Sequence, residues 1–392
     1  MMTRSVALRA SAALLIGLLS GCASLISPVA RLPPPPIQGE ARAEVVDAPA
    51  IRYFPSDTDD LRRDLDETYR RERAMNGYPA DSVLPDADFL AISGGGQNGA
   101  FGAGLLVGWT AHGDRPEFRI VTGVSTGALI APFAFLGPAW DKTLTRLYTE
   151  VTSKDIVKER NISAALFDDA LADNLPLKQL VEANVTQQVL EALARESLRG
   201  RTLLVATTDL DTRRPVFWNL TLMAEVRGPG TLELIRSVLV ASAAIPGELP
   251  PAMIDVTLDG KRYQEMHVDG GTTTQVFLLP RDILLSDLSF RQRTIYVIRN
   301  AHLHVRAHEV PRSAVAIAKN AIASLIYTQG VGNLYQIAAR AERDGSALRI
   351  AFIPASFKLE EQDDFDHAYM NELFLLGYTM ARRGFPWLTA PP

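Results

Sequence analysis

Two apolar runs of strand length stop abruptly at glycine-bounded turns, and each turn opens into a helix-forming stretch. Phe89-Leu90-Ala91-Ile92 runs into Ser93-Gly94-Gly95-Gly96 ahead of a small-residue helix over Ala100–Ala111. Phe118-Arg119-Ile120-Val121-Thr122 runs into Gly123 ahead of a helix over Thr126–Leu136. A buried strand, a tight turn and a helix form the repeating unit of α/β layers, and two in tandem point to strands that lie parallel in one sheet. The same alternation continues. Strands are expected at Leu203–Thr208, Val216–Leu220, Tyr263–Val268, Thr294–Arg299 and Arg349–Ile353. Helices are expected at Lys142–Thr152, Thr186–Ser197, Leu232–Ala243, Ser313–Asp344 and His367–Arg383. The fold class is therefore α/β, with a mostly parallel central sheet flanked by helices and a helical C-terminal extension.

The charge balance narrows the function classes. Lys and Arg number 40 and Asp and Glu 45, a net charge of −5. No basic footprint for nucleic acid is present. The single cysteine excludes an intrachain disulfide framework and any multi-cysteine metal site. Beyond the first 21 residues no apolar run reaches the roughly eighteen residues of a membrane span, which excludes a multi-pass chain. No cofactor and no metal are expected. Thr208-Asp209-Leu210-Asp211-Thr212 carries two acids without a third nearby and reads as a turn.

The first glycine loop, Ser93-Gly94-Gly95-Gly96-Gln97-Asn98-Gly99, satisfies G-x-G-x-x-G taken literally. A dinucleotide site also needs an acid at the end of the next strand, and Thr122-Gly123-Val124-Ser125 has none. No Lys-Ser/Thr follows the glycines, so the loop is not a Walker loop either. Its backbone N–H groups face the mouth of a helix N-terminus, which suits an anion, including an oxyanion formed only during reaction. The second loop, Gly123-Val124-Ser125-Thr126-Gly127, matches G-x-S-x-G between strand and helix. There the serine projects at the carboxyl end of the sheet, although a glycine-bounded turn with an N-capping serine has the same pattern. The two loops lie about thirty residues apart, close enough for one to supply a nucleophile and the other hydrogen-bond donors.

A serine hydroxyl needs a proton acceptor. Six histidines are available: His112, His267, His302, His304, His308 and His367. His302, His304 and His308 follow a strand late in the chain, where a Ser-His-Asp hydrolase keeps its histidine, but no local motif supports them. Val268-Asp269-Gly270-Gly271 offers a carboxylate at a strand end. Alone, Asp-Gly reads as a turn; beside the two glycine loops it reads as the serine's partner. His267 shares a strand face with Asp269, where it would tune the acid or simply fill the core.

These three elements, in this order, resemble the patatin-like phospholipase family: a glycine-rich oxyanion loop at Gly94–Gly99, G-x-S-x-G at Gly123–Gly127 and D-G-G at Asp269–Gly271. Ala241-Ser242-Ala243-Ala244-Ile245-Pro246 also looks like the family's segment between the second and third motifs. The resemblance covers about 86–300 and implies a three-layer fold and an acyl-ester hydrolase acting on lipids or similar esters. It implies Ser125 as nucleophile and Asp269 as its base, with burial raising an acid whose ordinary pKa is near 4. It implies backbone donors from Gly94, Gly95, Gly96 and Thr126 for the oxyanion. Gly99, Gly123, Gly127, Gly270 and Gly271 would support the motifs. One departure is Asn98, where the family often carries Arg or Lys; a positive charge near a phosphate headgroup is lost. The alternative is an inactive envelope scaffold on the same fold.

The N-terminus carries a further resemblance. Arg4 and Arg9 precede the apolar stretch Ala10–Leu19, too short to span a bilayer, and Leu19-Ser20-Gly21-Cys22 is similar to the lipobox of bacterial lipoproteins. It implies removal of residues 1–21, acylation of Cys22 and attachment to the membrane. Ala23 after the cysteine points to the outer membrane, facing the periplasm. Residues 22–50, with Arg31-Leu32-Pro33-Pro34-Pro35-Pro36, read as a stiff Pro-rich tether. Residues 51–85 carry a charged surface helix, with Leu61, Leu65 and Tyr69 at helical spacing inside Asp57–Met75. Residues 86–300 form the expected catalytic domain and 301–392 a helical part packed on it. Ile317, Ile322, Leu325 and Ile326 in that part read as a core face, with a membrane-facing lid as the alternative.

Overall fold

The computed structural model describes residues 30–391 apart from 56–57, 80–81, 157, 160–169, 171, 281, 287–288, 290 and 304–308. The leader and Cys22 lie outside the described residues, as do His304 and His308. The strands are β1 (Glu44–Val45), β2 (Arg52–Tyr53), β3 (Ala87–Ile92), β4 (Phe118–Val124), β5 (Lys158–Glu159), β6 (Ala172–Asp173), β7 (Thr202–Asp209), β8 (Arg214–Asn219), β9 (Ala252–Leu258), β10 (Lys261–Asp269), β11 (Arg293–His302) and β12 (Ala347–Ile353). The helices are α1 (Asp59–Asn76), α2 (Gly99–His112), α3 (Thr126–Leu136), α4 (Asp141–Thr149), α5 (Leu175–Asn184), α6 (Gln187–Leu198), α7 (Leu220–Val226), α8 (Thr231–Ser242), α9 (Ala314–Arg343) and α10 (His367–Arg382).

The fold is mixed α/β, a ten-stranded sheet with helices on both faces. Five neighbouring strands, in the order β7-β4-β3-β11-β12, run parallel. Of these, β3, β4 and β7 are buried on both faces, and β3 and β4 accordingly read as near-continuous apolar runs. Beyond β7 the sheet turns antiparallel: β10, β9 and β1 follow one another, and β8 and β2 form a side branch. The parallel character thus belongs to the half of the sheet that carries the two glycine loops.

On one face, α2 packs against α10, and the small residues of α2 have a use there. A side chain on Gly104 would collide with the carbonyl oxygen of Phe374, and one on Gly377 with that of Phe101, so the two helices approach backbone to backbone. On the other face lie α1 and the C-terminal half of α9, whose Leu334, Ile337 and Ala341 join Leu61, Leu65, Ile295 and Val297 in one buried cluster.

Two expectations are corrected. Residues 30–50 do not stand off the domain as a spacer. The Pro33 carbonyl accepts the Gln264 N–H at 3.1 Å, Arg31 pairs with Asp211, Glu40 is buried against Arg214, and β1 pairs with β9. An extended proline stretch has no internal hydrogen bonds, so its carbonyls are free to accept from a neighbouring strand. Ile317, Ile322, Leu325 and Ile326 of α9 are exposed and form no core face. The half of α9 that carries them lies beyond the end of β11. Strand β9 escaped the sequence reading, although Ala252-Met253-Ile254-Asp255-Val256-Thr257-Leu258 alternates in the two-residue period of a strand, and its burial follows that period.

Candidate active site

Each of the three motifs occupies a strand end. β3 leads through Ser93–Asn98 into α2, β4 leads through Ser125 into α3, and β10 ends in Asp269 before Gly270-Gly271. The convergence follows from the register on β7. Along one edge of β7, β4 pairs up to Val124↔Ala206, and β10, running the opposite way, finishes at Asp269↔Thr207. The two C-terminal ends therefore abut at neighbouring positions of a third strand. Gly270 packs against the Ala206 carbonyl, where a Cβ would collide.

Ser125 Oγ donates to Asp269 Oδ2 at 2.6 Å. Asp269 Oδ1 accepts the Gly271 N–H, also at 2.6 Å. Ser125 has φ 55° and ψ −127°, a region that costs a non-glycine residue about 1–3 kcal/mol and that clusters at functional sites. Gly127 behind it packs on the Ile92 and Ser93 carbonyls, which leaves no room for a side chain. Burial pushes the Asp269 carboxyl up to about 7; the bonds from Ser125 and Gly271 oppose the rise, and the charge of Glu248 adds to it.

The segment Ala241–Pro246 holds both groups. Ser242 Oγ accepts the Ser125 N–H at 3.0 Å and donates to the Ala206 carbonyl at 2.7 Å, and the Ala244 carbonyl accepts the Asp269 N–H at 2.8 Å. Tyr148 Oη bonds Thr126 Oγ1 at 2.7 Å. The glycine loop is clamped at its base. The Asn300 N–H donates to Ser93 Oγ at 2.8 Å, while its side chain donates to the Ser93 carbonyl and accepts the Gly102 N–H. The Gly94 N–H donates to the Gln275 carbonyl at 3.0 Å, and Asn333 Oδ1 accepts the Gln275 N–H. Gly94 is thereby removed from the expected set of oxyanion donors, because its N–H is already engaged. No hydrogen bond among the described residues uses the N–H groups of Gly95, Gly96 or Thr126. Gly95 must be glycine, since a Cβ there would collide with the Asn300 carbonyl. Asn98 is held by α10: its Oδ1 accepts from Tyr369 at 2.7 Å.

Ser242, Asn300, Gln275, Asn333 and Tyr148 were missed in the sequence. Only Ser242 lay in a segment already singled out; the others stand in unremarkable helices, strands and loops. None of the four described histidines bonds Ser125 or Asp269. His267 is fully buried between Thr207 Oγ1 and Glu265, His302 meets the Ile353 carbonyl, His367 the Thr149 carbonyl and His112 the Arg382 carbonyl. Phe217 and Trp218 are core residues. Among the described residues no group of His, Cys, Asp and Glu could hold a metal ion.

Ser125, Thr126 and Gly96 line one cavity with apolar walls, among them Leu129, Phe133, Val181, Leu239 and Met370. Its cavity volume is about 90 Å³. Glu248 is the one charged residue in the described lining.

The sequence model of the family Patatin-like phospholipase matches residues 90–280, a span that holds all three motifs. Residues 90–280 are a patatin-like phospholipase domain. The family is one of lipid acyl hydrolases, with lipids as the substrate class. Among solved structures the chain is similar to VipD from Legionella pneumophila, at 11% identity over 76% of this chain and 66% of that one, with a TM-score of 0.33. No curated protein matches the chain.

Proposed function

We propose that this patatin-like chain is a serine acyl-ester hydrolase in which Ser125 is the nucleophile and Asp269 its only proton acceptor. The observation that carries the reading is the 2.6 Å bond from Ser125 Oγ to Asp269 Oδ2 at the wall of an apolar cavity. An acyl chain lies in the cavity and brings its ester carbonyl to Ser125. As Oγ bonds to the carbonyl carbon, its proton passes to Asp269 Oδ2, a base whose pKa near 7 suits neutral pH. The N–H groups of Gly95, Gly96 and Thr126 hold the oxyanion, each worth about 3–4 kcal/mol of transition-state stabilisation. When the carbon–oxygen bond to the alcohol breaks, Asp269 returns the proton to the leaving oxygen. Water, deprotonated by the same carboxylate, then attacks the acyl carbon; the bond to Ser125 Oγ breaks, Oγ takes the proton back from Asp269, and the fatty acid leaves.

A fluorophosphonate probe tests the assignment. Mass mapping is expected to find the label on Ser125, with none after Ser125→Ala; a protein that folds but takes no label would leave the scaffold reading in its place. Acylation at Cys22, with attachment to the outer membrane, belongs to the same proposal. Its test is fatty-acid labelling of wild-type chain and Cys22→Ala in a bacterial host, with label expected only in the former.

A further inference from the structure

α9 is amphipathic the wrong way round for a helix on a protein body. Over its first half, Ile317 is 55% exposed, Ile322 57%, Leu325 70% and Ile326 38%. At 3.6 residues per turn these four fall within about 180° of the helix circumference. Ala316, Asn320 and Tyr327, on the opposite arc, are less exposed, and Tyr327 Oη donates to the Leu303 carbonyl at 2.6 Å. The apolar arc therefore faces away from the domain.

The position of this half-helix is equally specific. Tyr327 stands level with Leu303, just past the end of β11 at His302. From there to Ala314 the helix runs thirteen residues, about 20 Å, beyond the carboxyl edge of the sheet. β3, β4 and β11 are parallel, so this is the edge that carries the glycine loop and Ser125. An exposed apolar patch of this kind calls for a partner.

The charges say which partner. From Val310 to Gln329 the charged residues are Arg312 and Lys319, both positive, with Glu309 just ahead of them, in a chain of net charge −5. The large exposed apolar side chains of the projecting half are all aliphatic, with no exposed Trp or Tyr among them, and Ile317, Ile322, Leu325 and Ile326 follow no seven-residue repeat that would seat a second copy. No helix among the described residues is long and apolar enough to cross a membrane. We infer that the projecting half of α9 is a docking element that lies in the surface of a lipid bilayer containing anionic headgroups. It sinks its aliphatic arc among the acyl chains and turns the sheet edge that carries Ser125 towards the bilayer. The inference rests on the lipid substrate class of the domain for its purpose, but not for its test.

The test uses the full chain with Cys22→Ser, so that an introduced cysteine is the only thiol. Leu325→Cys carries an environment-sensitive nitrobenzoxadiazole label. Leu198→Cys, 53% exposed beside the start of β7 at the opposite edge of the sheet, is the control. With vesicles of phosphatidylcholine and phosphatidylglycerol, the label at 325 is expected to brighten several-fold and shift to the blue, less so as salt is raised, while the label at 198 stays unchanged. An unchanged signal at 325 overturns the inference, as does an equal change at 198. A change that follows protein concentration without vesicles shows self-association instead and also overturns it. Ile322→Glu with Leu325→Glu is expected to lose vesicle co-sedimentation and keep fluorophosphonate labelling of Ser125. Should the probe fail while Leu325 inserts, docking stands and the hydrolase reading falls.

Discussion

Asp269 shares its two oxygens between the Ser125 hydroxyl and the Gly271 N–H, 2.6 Å from each. The carboxylate is thus fixed in place by the backbone that follows it and needs no third residue to orient it. Burial pushes its carboxyl up to about 7, and in the proposed mechanism only the ionised form can take the serine proton. kcat/KM for a soluble acyl ester is expected to climb tenfold per pH unit well below 7 and level off above it. A profile already flat at pH 5 would contradict the assignment. Asp269→Asn is expected to cost about 10²–10⁴-fold in kcat at pH 8.

The same burial carries a cost in stability. The carboxyl moves from 3.8 to about 7 on folding, so the folded state holds its proton more tightly than the unfolded chain. Stability is therefore greatest below pH 4, as far as this group is concerned, and falls as pH rises to about 7. The loss is about 4 kcal/mol in total. Asp269→Asn removes the penalty. Urea unfolding is expected to find the variant more stable than wild type at pH 8, with the gap closing towards pH 4.

Glu248 lines the cavity, and its charge helps to hold the Asp269 carboxyl up. Glu248→Gln is expected to move the acidic limb of the rate profile to lower pH and keep its plateau. A profile that does not move would show that burial alone sets the value.

Ser242 acts through Ser125 and is a positioning residue. Ser242→Ala leaves the buried Ser125 N–H and Ala206 carbonyl without their partner, at about 1–3 kcal/mol. The expected result is a fall in kcat with KM held, since the strained serine loses its anchor but the acyl cavity is untouched. Ser242→Thr, which retains the hydroxyl, is expected to recover most of the loss.

Val181 on α5 is part of the cavity wall. Val181→Phe adds bulk where an acyl chain would lie. Long-chain nitrophenyl esters are expected to lose rate sharply while the acetate ester barely changes. Equal losses for both would show that the chain lies elsewhere.

The local units follow from short-range sequence alone. Strands β3 and β4 and helices α2 and α3 were legible because glycine at tight turns, apolar runs and helix-forming stretches are short-range requirements of the backbone. The order of the three motifs settled the family for the same reason, and the match over 90–280 bears it out. How distant segments meet is set by long-range packing. Asp269 reaches Ser125 because β10 pairs antiparallel with β7 in a register that ends beside β4, and the chain between them gives no local sign of that register. Gly94 leaves the donor set because the Gln275 carbonyl, far along the chain, reaches its N–H first. The Ile and Leu residues of α9 look like core in composition; whether they are covered depends on where β11 ends, because an apolar face is buried only if another surface stands opposite it.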